Sequence, residues 1–241
     1  MTHTDLAKEL KLEKPFIAIT RKTVSKETLE DFPVKNGCTL RILNDVMAGK
    51  RLVLTEERSS CSGGRSGFGF HDGPSEMPGG IEYFLSRGRG EGYPPGEKLK
   101  DSPETAKKMA GAGPHQVLGP HNALEFKPYE TGDDPDLVTV LATADQLAAF
   151  VNLYTFRTGA WENVIMPMTS GCASIVRIPF GELRNEEPRA VIGNADITAR
   201  FFFDKDKVFF TVAGTKFSEM LADADDSFIF APAFAGVKKR L

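Results

Sequence analysis

The stretch Leu137-Val138-Thr139-Val140-Leu141-Ala142-Thr143-Ala144-Asp145-Gln146-Leu147-Ala148-Ala149-Phe150-Val151-Asn152-Leu153-Tyr154 decides how the rest of the chain is read. Residues 137–141 are rich in β-branched side chains, which pack well on a pleated surface and predict a strand. Thr143-Ala144-Asp145-Gln146 then has the form of a capping box, in which side chains at both ends satisfy the free N–H groups of a helix start. Leu147, Phe150, Val151 and Tyr154 follow at i, i+3, i+4 and i+7, one apolar face of a helix.

Working outward, strands and helices interleave without a repeating period. Residues 4–12 predict a short amphipathic helix and 16–19 a buried strand. Residues 38–48 carry Leu40, Leu43, Val46 and Met47 on one helical stripe, closed by Gly49, and 51–54 read as a strand. Pro103 and Gly111 bracket a helix, and 123–126 read as a strand. Beyond the central stretch, 188–193 predict a strand and 215–222 a helix. Residues 197–203 and 208–212 flank Asp204-Lys205-Asp206-Lys207 and predict a hairpin. Between Cys61 and Gly96 the composition changes, with 11 of the 23 glycines in these 36 residues, so this part reads as a long loop with at most a helix near 81–86. The expected architecture is a single α+β domain over residues 1–241. It has a mixed or antiparallel sheet, flanking helices and a Gly-rich insertion at about 61–122.

Composition narrows the function. With 41% hydrophobic residues, 10% aromatic residues and a mean hydropathy of −0.24, the chain is not of disordered type. Thirty basic against 33 acidic residues argue against a nucleic-acid partner. No apolar run approaches the roughly 20 residues that cross a bilayer, and Met1-Thr2-His3-Thr4-Asp5 lacks the order of a signal peptide, so no membrane partner is expected. Three cysteines is an odd number, which suits a reducing cytosol better than a disulfide framework.

The three cysteines share a local setting. Cys38 follows Gly37 at a predicted helix start, Cys61 heads Cys61-Ser62-Gly63-Gly64, and Cys172 follows Ser170-Gly171 before an apolar helical run. Helix N-termini and turns of successive N–H groups favour negative charge, so each thiol is expected to shift toward thiolate. Arg58 and Arg65, flanking Cys61, act in the same direction. Cys61 and Cys172 are therefore the catalytic candidates. Cys38, Cys61, Gly63, Gly64, Arg65 and Cys172 are the candidate cofactor-binding set. The alternative is that buried cysteines only fill space. Zinc-ribbon spacing is absent, whereas an iron–sulfur cluster assembled from distant segments stays open, with His71 as a further metal candidate beside the three cysteines.

Other motifs fail. The Gly-rich segment lacks the Gly-Lys-Ser/Thr of a phosphate loop. Gly67-Phe68-Gly69 begins a dinucleotide fingerprint but has Asp72 where its third glycine belongs, and no GxSxG elbow is present. Arg58, Arg65, Arg87 and Arg89 remain as anion-binding candidates or as a solvated face. His3, His115 and His121 show no ligand spacing. Asp196 and Arg200, four apart in a predicted strand, share a face and form either an ion pair or part of a site. The sharpest expectation is that Cys61 and Cys172 line one pocket with the Gly63-Gly64 backbone. Cys38 would form its wall or floor, and Arg65 would stand at its mouth to attract an anionic ligand.

Three blocks carry a family resemblance. The first runs from Cys38 through Met47-Ala48-Gly49-Lys50 and Leu54-Thr55 to Cys61-Ser62-Gly63-Gly64. The second joins Pro135-Asp136-Leu137-Val138 to Asp145-Gln146-Leu147 and Val151-Asn152. The third joins Ser170-Gly171-Cys172-Ala173-Ser174 to Ala195-Asp196-Ile197-Thr198-Ala199-Arg200. Together they resemble the prokaryotic "domain of unknown function 169" family over about 35 to 220. The resemblance implies an active role for Cys38, Cys61 and Cys172 and supplies no established activity. Three functions follow as expectations: a cytoplasmic cofactor- or small-ligand-binding protein, a thiolate- or iron–sulfur-dependent enzyme, or a non-catalytic homo-oligomer with packing cysteines.

Overall fold

The computed structural model describes residues 1–25, 37–71, 73–114 and 117–241; Asp72 and His115 lie outside them. In chain order the elements begin with α1 (His3–Glu9) and β1 (Ile17–Lys22). Next come α2 (Ile42–Met47) and β2 (Leu52–Thr55). The Gly-rich segment holds α3 (Ser62–Gly67), α4 (Ile81–Phe84) and α5 (Pro103–Ala110). Then follow β3 (Ala123–Pro128), β4 (Leu137–Thr143), α6 (Ala144–Tyr154) and β5 (Val164–Ile165). The chain ends with α7 (Ile178–Glu182), β6 (Ala190–Gly193), β7 (Lys207–Ala213), α8 (Gly214–Asp223) and α9 (Ala235–Lys238).

The strands form one seven-stranded sheet of order β2-β3-β1-β4-β7-β6-β5. Every neighbouring pair is antiparallel except β5 and β6, so the sheet is mixed and the fold is α+β. The capping box is present as read, with the Thr143 side chain accepting from the Gln146 N–H and the Gln146 side chain accepting from the Thr143 N–H.

β4 lies at the middle of the sheet and is buried on both faces, which explains its continuous apolar sequence. Successive side chains of a strand point to opposite faces. Accordingly, Val138, Val140 and Ala142 pack with Leu6, Leu10, Phe150, Phe217 and Met220, from α1, α6, α8 and the end of α1. Leu137 and Leu141 pack with Leu40, Leu43, Phe68, Ile175, Val176 and Phe180 on the other face. Burying each such large side chain contributes about 1.5–3 kcal/mol. The second face is the one that carries the cysteines.

One expected element is different. Residues 197–203 do not pair with β7. Asp196 Oδ1 accepts from both the N–H and the hydroxyl of Thr198, at 3.0 and 2.8 Å, and the Asp196 carbonyl accepts from the N–H groups of Ala199 and Arg200. The Asp side chain thus turns the chain and competes with strand formation. A 3₁₀ turn at Arg200–Phe202 follows instead. Among the described residues no helix is long and apolar enough to cross a membrane.

Candidate functional site

Three distant segments bring the cysteines to one cavity of about 420 Å³, whose lining includes Cys38, Cys61, Gly63, Gly64 and Cys172. Among the described residues, none of the lining comes from a strand. The walls come from the residues around Cys38, from α3, α4 and the end of α5, and from residues 168–172 and 196–202.

Each cysteine is placed by its own local structure. Cys38 is extended, and its carbonyl accepts from the Arg41 N–H to start a 3₁₀ turn, Thr39–Arg41, whose Leu40 is fully buried. Cys61 is the N-cap of α3, and its Sγ accepts from the Gly64 N–H at 3.2 Å. Thr39 links these two segments. Its Oγ1 lies 3.4 Å from Cys61 Sγ and 3.2 and 3.1 Å from the hydroxyls of Ser59 and Ser60. A Cβ at position 64 would sit 2.5 Å from Thr39 Oγ1, so glycine is what permits this approach. Cys172 is buried in a helical run that continues through a π-helical segment, Ala173–Arg177, into α7. Pro179 has no N–H to return to the preceding turn, which accounts in part for the loosened helix. Such π-helical insertions recur at functional sites.

The electrostatics run opposite to the expectation of thiolates. The Cys38 thiol is pushed up to about 11, first by the neighbouring Cys172 thiol; Cys61 opposes the rise and burial adds to it. Cys61 is pushed up to about 12 by Cys38 and by burial, which outweigh donation from Thr39 and the Gly64 N–H. A short helix start cannot hold negative charge on sulfurs that crowd each other out of water. At rest Cys38 and Cys61 are protonated thiols.

Several expected participants lie elsewhere. The Cys61–Gly64 segment is the first turn of a helix rather than an open nest, and Arg65 projects from α3 into solvent, outside the cavity lining. His71 is also outside it, with Nε2 4.0 Å from Glu76 Oε1. Arg58, Arg87 and Arg89 do not line the cavity, and Arg89 stacks on Tyr83 and Tyr93. The side chains of Asp196 and Arg200 do not pair. Asp196 lines the cavity and accepts from the Gly171 N–H, while the Arg200 guanidinium donates to the carbonyls of Lys205 and Lys207. Among the described residues, no group of three His, Cys, Asp or Glu side chains is placed to hold a metal ion.

The residue missed from sequence is Arg177. It lines the cavity, is only 4% exposed, and donates from Nη1 to Ser66 Oγ at 3.2 Å, while its Nε has no partner among the described residues. Its sequence signal is a lone cation inside the apolar run Ala173-Ser174-Ile175-Val176-Arg177-Ile178. Two other cavities contrast with this one, because carboxylates meet several of the cations lining them. Arg157 meets Asp223 and Lys216 meets Glu187 in one, and Arg240 meets Asp145 in the other.

A sequence model of the family DUF169, described as uncharacterised ArCR, matches residues 5–223. No curated protein and no solved structure matches the chain.

Proposed function

Since this chain belongs to the DUF169 family, which brings no activity with it, we propose its function from the site alone: a cytosolic protein that binds a small ligand or cofactor in the thiol-lined cavity. The observation that carries this reading is the convergence of Cys38, Cys61 and Cys172, separated by up to 134 positions (172 − 38), on one cavity. Packing alone has no need of an open space beside all three sulfurs. The volume falls in the range of small-molecule sites, and the walls are mainly apolar with a few polar groups, as such sites usually are.

Binding fits better than nucleophilic catalysis. The thiolate is the reactive form of cysteine, and Cys38 and Cys61 are held protonated at rest. Three free thiols also suit a reducing compartment.

The test is native mass spectrometry, with metal analysis, of protein purified without oxygen. The comparison is Gly63→Phe, whose new side chain starts in open space at the cavity wall. The proposal expects a stoichiometric non-protein mass that leaves on denaturation and is missing from Gly63→Phe. Wild-type protein that is empty, or a bound mass that Gly63→Phe retains, contradicts it. An iron or sulfide content in the bound mass would identify the ligand as a cluster.

A further inference from the structure

We infer that the cavity selects a ligand with an anionic head, a carboxylate or a phosphate monoester, on an apolar body, and that Arg177 is the residue that receives the head. The inference rests on the binding role proposed above and adds the chemical class of the ligand.

The argument starts from the cost of a buried guanidinium. Arg side chains are almost never fully buried unless paired. Arg177 is buried at the cavity, and no carboxylate of the described residues pairs with it. Its Nη1 donates to Ser66 Oγ, and that hydroxyl is itself committed to the Gly73 carbonyl at 2.7 Å. This neutral contact does not balance the charge, and Nε donates to none of the described residues. Burial alone pushes its pKa down, with no opposing anion.

The two carboxylates lining the cavity do not fill this role. Both oxygens of Asp196 are engaged, by the Gly171 N–H on one and by Thr198 on the other. Burial, followed by the nearby Asp196 charge, pushes the Glu97 carboxyl up toward its neutral form. A charge left unpaired inside a protein is strongly destabilising unless something arrives to meet it. A guanidinium offers a planar fork of donors matched to carboxylate and phosphate oxygens. The rest of the wall decides the body of the ligand. Met77, Ile81, Phe84, Leu99, Met109 and Phe202 present apolar surface to the same space.

Isothermal titration calorimetry with four eight-carbon probes separates the elements of the claim. The probes are octanoate, octyl phosphate, octan-1-ol and octylamine. Wild-type protein should bind at least one of the two anions about 10-fold or more tightly than the alcohol, and the amine least tightly. Which anion wins distinguishes the carboxylate from the phosphate source. Arg177→Met should remove the preference while leaving alcohol binding in place. Gly63→Phe should weaken all four probes. Equal binding of acid and alcohol by the wild type, or a preference that survives Arg177→Met, overturns the assignment of Arg177. The cavity reading then stands, provided that Gly63→Phe still blocks binding. Heat that Gly63→Phe does not change, or no binding of any probe, overturns both. If Arg177→Met fails to fold, the wild-type ranking of acid against alcohol decides alone.

Discussion

Gly67 of α3 and Cys172 of the π-helical run touch so closely that a Cβ on Gly67 would stand 2.5 Å from the Cys172 Cβ. Neither element can retreat easily, because Phe68 is fully buried on one side and Ala173 and Ile175 are buried on the other. Gly67→Ala should therefore cost about 1–3 kcal/mol, the usual cost of overpacking. Gly63→Ala in the same helix meets nothing within 4 Å and should be neutral or slightly stabilising. Urea denaturation of the pair measures the difference. Equal stability of the two variants would mean that α3 and the Cys172 helix are not in contact.

Thiol titration gives a second prediction. With Cys61 near 12 rather than the ordinary 9.0, its thiolate population at pH 8 falls by roughly three orders of magnitude. Alkylation of Cys61 by iodoacetamide, followed by peptide mass spectrometry, should be about 100-fold or more slower than that of an unperturbed thiol. Because Cys38 is the main cause of the rise, Cys38→Ser should speed it up. The folded thiols bind protons more tightly than the unfolded ones. Their contribution to stability is thus complete below pH 9.0 and is lost as pH rises through about 11 to 12. Fast alkylation at neutral pH would restore the thiolate reading.

Arg177 should show opposite effects on stability and binding. Replacing its unpaired guanidinium with the apolar chain of methionine removes a desolvated charge, and the ligand-free protein should gain about 1–3 kcal/mol. Thermal unfolding reads this directly. A melting temperature that falls by a comparable amount would show that the guanidinium is already balanced within the chain.

Glu182 contributes to the acid response. Burial pushes its carboxyl up, but donation from the Arg189 guanidinium and backbone N–H and from the Asn185 amide holds it below the usual carboxylate range. A depressed carboxyl contributes stability that is present above the ordinary value of 4.5 and lost as pH falls through the folded one. The urea midpoint of the wild type should therefore drop more between pH 7 and pH 3 than that of Glu182→Gln. Parallel curves would remove this pair from the acid response.

Local sequence signals account for much of the fold. The capping box at Thr143, the β-branched run of β4 and the apolar stripe of α2 each state their structure within a few residues, because capping and periodic burial are local. Two readings failed where the deciding interaction was a side chain bonding back to its own backbone. Asp196 turned a predicted strand, and Cys61 capped a helix in a segment of glycines. At the site, the shared glycine context of the cysteines pointed to their meeting. The direction of their titration did not follow from it, since that depends on which thiols lie beside each other after folding. Arg177 was overlooked among apolar neighbours, whereas Arg65, conspicuous in its loop, faces solvent.

Three thiols gathered at one cavity should capture a trivalent arsenical. Phenylarsine oxide releases its oxygen as water and bonds two thiol sulfurs at one arsenic, which requires that they lie side by side. Intact-mass titration of the reduced protein should show a single arsenical per chain, resistant to a monothiol and displaced by a dithiol. Cys38→Ser should weaken it most, because Cys38 neighbours both of the others. No stable adduct, with three thiols that react independently, would show that the cysteines do not meet.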